Sequence, residues 1–265
     1  MTIRYVPIPG RPQGCPAPGA GQLSPVAHRH FGDRLARRNN VTRTCLCLLS
    51  IQATEGGDVM SGEIKIVPLA PEGVNETARV LTRAFWDYSE TIHLLGPLSR
   101  RRRILPLYMA DDCRSACAYG SAYVAEDGKK VVGASLWLTP GAYPISWQRQ
   151  VRQAIRLAPT LPWTFGILPE VSRNQKAQRA GHPLEPHYYL MVLGVDPDTQ
   201  SSGIGSALIT PVLEKAAIQG VGCYLTTATA DNVGWYSRFG FEVTEEFNPT
   251  PTWPRVWRLW RPPSD

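Results

Sequence analysis

Tyr188-Tyr189-Leu190-Met191-Val192-Leu193-Gly194-Val195 is an unbroken apolar run, and it passes at once into Asp196-Pro197-Asp198-Thr199-Gln200-Ser201-Ser202-Gly203-Ile204-Gly205-Ser206. A short apolar run closed by Asp-Pro reads as a buried strand. The residues from Gly203 to Gln219 follow with an apolar face and read as a helix, so the order is strand, glycine loop, helix. Such a junction binds anions: the first N–H groups of a helix have no intrahelical partner, and the helix dipole is positive there. No Gly-Lys-Ser/Thr is present, which excludes a P-loop. A third glycine at dinucleotide spacing is missing, and the next strand ends at Thr226-Thr227 without an acid, which argues against a nicotinamide cofactor.

Working outward, Val221 to Thr226 reads as a strand, Val233 to Arg238 as a short helix, and Phe241 to Glu246 and Arg255 to Trp260 as closing strands. Upstream, Ile64 to Leu69 is a strand and Val74 to Tyr88 an amphipathic helix entered through Pro71-Glu72. Leu105 to Tyr119 continues helical. Ala122 to Glu126 and Val131 to Leu138 are strands joined by a hairpin turn at Asp127-Gly128-Lys129-Lys130. Residues 139–186 are punctuated by proline and form a lid-like insertion, with one helix from Trp147 to Leu157 on a Trp147, Val151, Ala154, Ile155 stripe.

The 265 residues are 43% hydrophobic, enough for a sizeable core, and no apolar stretch reaches the length of a membrane span. The net charge of +6 loses its meaning once divided. Residues 1–59 hold seven arginines and three acids, and the other 21 basic and 19 acidic residues leave only +2. No nucleic-acid or membrane partner is expected from so even a balance. Six prolines and seven glycines among residues 1–59, without apolar periodicity, predict a disordered extension, with translation truly starting at Met60 and an enzyme domain over 60–265. Six cysteines are too sparse for a disulfide framework, which places the chain in the cytoplasm. The pairs His28, His30 and Cys45, Cys47 are each too closely spaced for a tetrahedral metal site, Cys113 and Cys117 lie one helical turn apart and read as core contacts or as half a metal site, and no metal is expected.

The downstream segment Asn232-Val233-Gly234-Trp235-Tyr236-Ser237-Arg238-Phe239-Gly240-Phe241 changes the reading. Gln-x-x-Gly-x-Gly after a strand ending Gly-Val-Asp-Pro, then Asn-x-x-x-Tyr-x-x-x-Gly-Phe, resembles the acetyl-CoA motifs of the GNAT N-acetyltransferase superfamily. The pattern is closest to the puromycin N-acetyltransferase type, with further similarity at Arg83 to Tyr88 and at Leu136 to Pro140. The resemblance implies an α/β fold with a mixed, mostly antiparallel central sheet and helices on both faces. It implies acetyl-CoA as co-substrate, a small-molecule primary amine as acceptor, and leaves room for a homodimer. Leu193, Gly194 and Val195 would face the pantetheine arm, Gln200, Ser201, Ser202, Gly203, Ile204, Gly205 and Ser206 the pyrophosphate, and Asn232 the cofactor as well. Ser201 and Ser202 depart from the glycine and basic residue often found there.

Tyr236 is the candidate catalytic residue. A phenol with a pKa of about 10 is matched to a thiolate leaving group, although an aromatic at this position can also serve packing alone. The strand Tyr188 to Val195 contains no carboxylate, so no general base is assigned. Asp87, Glu90, His93 and His187 read as solvated or hydrogen-bonded surface groups, and Arg100 to Arg103 as a solvated helix entry. Direct attack in a ternary complex is preferred to a covalent route through Cys223, which has no obvious base beside it. The other function class is an acyl-CoA-binding regulator on the same fold with weak or absent catalysis.

Overall fold

The apolar strand and the helix behind it lie at the centre of a seven-stranded mixed sheet. The computed structural model describes residues 64–200 and 202–264, together with a two-residue strand β1 (Arg4–Tyr5). The expectations for residues 1–59 otherwise fall outside the described residues. The strands are β2 (Ile64–Pro68), β3 (Gly120–Asp127), β4 (Lys130–Leu138), β5 (His187–Val195), β6 (Gly222–Thr227), β7 (Glu242–Phe247) and β8 (Val256–Arg261). Their order is β2-β3-β4-β5-β6-β8-β7, with β5 and β6 parallel and the other neighbours in this order antiparallel, and β1 pairs parallel with β5 off this path. Parallel neighbours need a crossover. Helix α7 (Ile204–Gln219) supplies it.

Helices cover both faces. On one, α1 (Val74–Ala84) packs so closely that a Cβ on Gly194 would stand 2.8 Å from Leu81 and 3.0 Å from Phe85. On the other, Ser135 of β4 donates to the Leu208 carbonyl at 2.8 Å, and the Tyr188 hydroxyl donates to Gln219 at 3.2 Å, both on α7. The expected hairpin is present, with Asp127 opposite Lys130 and Gly128 at φ 64°.

Three elements differ from the sequence reading. The helix expected to reach Tyr88 stops at Ala84, and α2 (Ser89–Leu95) follows as a separate helix. The break lets Phe85 and Tyr88 meet edge-on at 5.5 Å and lets the Tyr88 hydroxyl accept the Ala228 N–H at 2.8 Å. Helix α3 (Leu98–Tyr119) begins seven residues earlier than expected and contains the arginine run. Arg101 is buried there and not solvated, donating to the carbonyls of Gly96 at 3.1 Å and Trp86 at 2.8 Å and pairing with Asp87.

Residues 139–186, expected to be mostly irregular, form α4 (Trp147–Leu157), α5 (Leu161–Thr164) and α6 (Leu168–Ala180). Helix α4 has the expected bounds but the opposite orientation. Its stripe residues Trp147 and Ile155 are 69% and 68% exposed, and the helix is held by its polar side chains. Arg149 donates to the Ala142 carbonyl, Arg152 to the Tyr119 hydroxyl, and Gln153 and Arg156 both to the buried Asp111 at 2.8 Å.

Candidate active site

Strand β5 carries one residue more than its antiparallel partner. Where β4 advances from Leu136 to Trp137, the partner on β5 steps from Val192 to Leu190, leaving Met191 as a bulge. Bulges bend a strand and sharpen its twist. On the other edge, β5 pairs with β6 only through His187–Leu190, opposite Gly222–Leu225. Beyond the bulge the two strands diverge, and Val192 and Leu193 pair instead with Arg4 and Tyr5 of β1. The edge at Leu193 therefore accepts an extended backbone. Val195 and Gly194 are paired to β4 on the opposite edge, at Gly133 and Ala134.

The loop after β5 is tied to itself and to α1. Asp196 accepts the Asp198 N–H at 3.0 Å, and Arg83 bridges Asp196 at 3.1 Å and Asp198 at 2.8 Å. The hydrogen bond from Arg83 holds the Asp198 carboxyl below its usual range. Gln200 donates to the Val195 carbonyl at 3.2 Å and Ser202 to the Thr199 carbonyl at 2.7 Å, so these side chains close the turn. Ser201 falls outside the described residues. Gly203 stands at φ 81° as the α7 N-cap, with open space where a Cβ would lie. This is the left-handed region that favours glycine. Ala207 makes the first intrahelical bond, to the Gly203 carbonyl, leaving the N–H groups of Ile204, Gly205 and Ser206 ahead of it. A Cβ on Gly205 would lie 3.4 Å from Trp235 and 4.0 Å from Val195, ordinary contact distances where α7 meets the next helix.

That helix is α8 (Ala230–Ser237), which carries Asn232 and Tyr236 one turn apart. Both are buried. Asn232 donates from Nδ2 to the Thr227 hydroxyl at 3.1 Å, fixing α8 on the end of β6. The Tyr236 ring lies 4.9 Å from Trp235 and 5.7 Å from Phe241, both edge-on. The ring is therefore packed on two sides. The neighbouring Thr226 hydroxyl, on the divergent stretch of β6, is buried with no hydrogen-bond partner among the described residues. Cys223 lies deep in β6, and burial pushes its thiol up to about 11. A thiol kept protonated at neutral pH is a poor nucleophile.

Several groups that sequence reasoning assigned to the surface line the interior beside β5. Glu90 is buried and accepts the Trp253 indole N–H at 2.9 Å. His187 is buried too: its Nδ1 lies 2.6 Å from the Glu185 carbonyl, and its Nε2 3.0 Å from Nε2 of His182. A carbonyl only accepts, so His187 carries its proton on Nδ1 and accepts from His182 through Nε2. His187, the acceptor, must be neutral for this. Burial, with His187 beside it, lowers His182 to about 3, and burial lowers His187 as well. Tyr143 stacks on His182 at 3.7 Å, and Tyr189 and Tyr224 meet the same ring edge-on. Burial pushes the phenols of Tyr143, Tyr189 and Tyr224 up, so they remain donors.

Tyr143 and Trp253 also wall a cavity of about 370 Å³ between α3 and the insertion. Leu94, Tyr108, Leu157 and Val171 give it a largely apolar lining. Arg258, which sequence reasoning passed over, reaches from β8 to the Ala177 carbonyl at 2.6 Å and pairs with Glu245, anchoring α6 to the sheet. Among the described residues no cluster of His, Cys, Asp or Glu could hold a metal ion. None of their helices is long and apolar enough to cross a membrane.

Residues 172–243, which span the end of the insertion, β5, the loop, α7, β6 and α8, match the family model of the acetyltransferase (GNAT) domain. The fold is the GNAT acetyltransferase fold. It is similar to a solved structure from Corynebacterium glutamicum titled histone acetyltransferase HPA2 and related acetyltransferase, with a TM-score of 0.59 at 19% identity, covering 76% of this chain and 97% of that one. It is also similar to the C-terminal condensation domain of Ebony in complex with beta-alanyl-dopamine, with a TM-score of 0.50 at 14% identity, over 76% of this chain and 99% of that one. The GNAT-type match begins inside α6, so the helices α4 and α5 that wall the cavity lie outside it.

Proposed function

We propose that this protein moves the acetyl group of acetyl-CoA to a primary amine of a small molecule, by direct attack in a ternary complex. The observation that carries the reading is the divergence of β5 and β6 beside the Met191 bulge, directly ahead of the open N-terminus of α7. An open strand edge suits the amides of a pantetheine arm, as in strand addition, and helix N–H groups suit a pyrophosphate. In this reading Leu193, Gly194 and Val195 hold the arm, and the loop from Gln200 to Ser206 holds the phosphates. Asn232 keeps α8 in register. Bound acetyl-CoA supplies an activated thioester. A backbone N–H near Leu193 polarises its carbonyl as the amine attacks. Tyr236 gives its proton to the departing sulfur, the proton lost by the attacking nitrogen returns through water to restore the phenol, and the buried, protonated thiol of Cys223 leaves the covalent route without a nucleophile.

The amine enters from the cavity behind Tyr143 and Trp253. The similarity at Arg83 to Tyr88 supports the puromycin-type subfamily, since Arg83 and Tyr88 join α1 to the loop after β5 and to Ala228. The deciding experiment combines acetyl-CoA calorimetry with thiol release across a panel of primary amines. Binding with release for at least one amine is expected. Tight binding with no release would identify a regulator, and absence of binding would end the reading altogether.

We also read Met60 as the true start. Because β1 pairs with the same edge at Val192 and Leu193, a chain beginning at Met60 should bind acetyl-CoA at least as tightly as the full chain. Weaker binding by calorimetry, or loss of soluble protein, would refute this.

A further inference from the structure

Helix α4 is mounted inside out. Its attachments are Arg149, Arg152, Gln153 and Arg156, while Trp147, Val151 and Ile155 fall on one outward face at helical spacing. The chain carries further exposed apolar side chains in α5 and the turn after it, where Trp163 is 40% and Phe165 75% exposed. Helices in water normally turn such a stripe inward. A run of exposed large apolar side chains marks an interaction surface.

Charge identifies the occupant. Residues 139–186 hold six basic side chains (Arg149, Arg152, Arg156, Arg173, Lys176, Arg179) and two acids (Glu170, Glu185), a net +4. Residues 60–265 total +2, so the remainder of the body is net −2 and the positive charge is concentrated on this insertion. Arg152 donates to a neutral phenol, and Arg103 lies over the Trp163 ring at 4.9 Å, so neither charge is cancelled by an acid among the described residues. With Arg156 paired to Asp111 on α3, a second copy docking through the same face would still set net positive charge against net positive charge. An anionic bilayer meets both features: tryptophan, phenylalanine and isoleucine enter the headgroup boundary while the exposed Arg103 and Arg152 remain at the phosphates.

We propose that the outward face of α4 and α5 docks this protein peripherally on an anionic phospholipid surface. This is attachment by an interfacial helix, distinct from spanning, and does not depend on the acetyl-transfer reading. The test is co-sedimentation of the full chain with vesicles of phosphatidylcholine containing about 30 mol% phosphatidylglycerol, against pure phosphatidylcholine, with tryptophan emission followed in parallel. Partitioning onto the anionic vesicles should be at least about tenfold stronger, with a blue shift of emission, and should fall as salt is raised to about 0.5 M. The variant Trp147→Ser/Ile155→Ser/Phe165→Ser should lose about tenfold or more of that partitioning at an unchanged melting temperature. All three side chains are exposed, and Phe165→Ser alone provides a milder check. No partitioning of the wild type at millimolar lipid overturns the proposal. So does binding that the substitutions leave intact, or a concentration-dependent dimer in solution that the same substitutions dissolve, which would assign the face to a second copy.

Discussion

The two sides of the divergent strands are built on different physics. On the cofactor side, from β5 through α8, position is set by backbone: a bulge, a glycine at φ 81°, and a helix start held against Trp235. On the acceptor side, helices α4 to α6 are held by long polar side chains, namely Arg156 and Gln153 on Asp111, and Arg258 on the Ala177 carbonyl. Backbone devices tolerate little change in geometry. Side-chain tethers can be altered one at a time, so the acceptor side can be retuned without disturbing the sheet.

The sharpest way to separate the two sides is Tyr236→Phe. The ring stays against Trp235 and Phe241, so folding and acetyl-CoA affinity should hold, while loss of the hydroxyl removes a proton donor commonly worth about 10² to 10⁴ in rate. We expect kcat to fall by that order with a good amine acceptor. A wild-type rate in the Phe variant would make Tyr236 a packing residue.

Gly203 probes the backbone device itself. A β-branched side chain at φ 81° is strained, with a left-handed residue costing about 1 to 2 kcal/mol, although open space surrounds the Cβ position. Gly203→Val should therefore move the first turn of α7 and weaken acetyl-CoA binding about tenfold by calorimetry, with a smaller effect on the melting temperature. Full affinity would show that the helix start does not hold the phosphates.

How much of this was legible in advance depended on how far away each residue finds its partner. The run Tyr188 to Val195 declares a strand because burial on both faces requires continuous apolar side chains. The bulge at Met191 was hidden, since an extra residue exists only relative to the register of β4. The apolar stripe of α4 was visible, yet periodicity says where an apolar face lies and not what covers it. Helix α6 was missed because its sequence, from Leu168 to Ala180, has no apolar stripe and is held from outside by Arg258, 81 residues from its partner Ala177. Glu90 and Arg101 read as surface charges for the same reason: their partners come from tertiary structure.

Acid should loosen the acceptor side first. His182 is neutral in the folded protein at about 3, against an unfolded value near 6.5. Above about pH 6.5 both states are neutral and stability is unaffected; below it the unfolded chain takes up the proton first, so stability falls by up to about 1.4 kcal/mol per pH unit. Protonating His187 on Nε2 would also place two N–H groups against each other across the 3.0 Å His182–His187 contact. Protection factors of the amides within residues 180–187, referred to the intrinsic exchange rate at each pH, should be lower at pH 5 than at pH 7.5. A His182 resonance titrating near 6.5 would contradict the assignment.

The smallest expected effect tests a single tether. Asp111 is buried, and its two oxygens accept from Gln153 and Arg156. Asp111→Asn keeps the shape but turns one acceptor into a donor and leaves the guanidinium without its counter-charge. Removing one partner of a buried pair costs about 3 to 5 kcal/mol, but Arg156 is 37% exposed and can turn to water, so the cost should fall near about 1 kcal/mol. Because the tether joins α4 to α3 and touches no strand, the loss should be local. Hydrogen exchange in α4 should rise, while β5, α7 and α8 retain their protection and acetyl-CoA affinity stays within about twofold, the two sides being uncoupled at this contact. A global fall in protection, or a matching loss of cofactor affinity, would mean that the insertion and the sheet respond as one unit and that the division between backbone-set and tether-set halves is wrong.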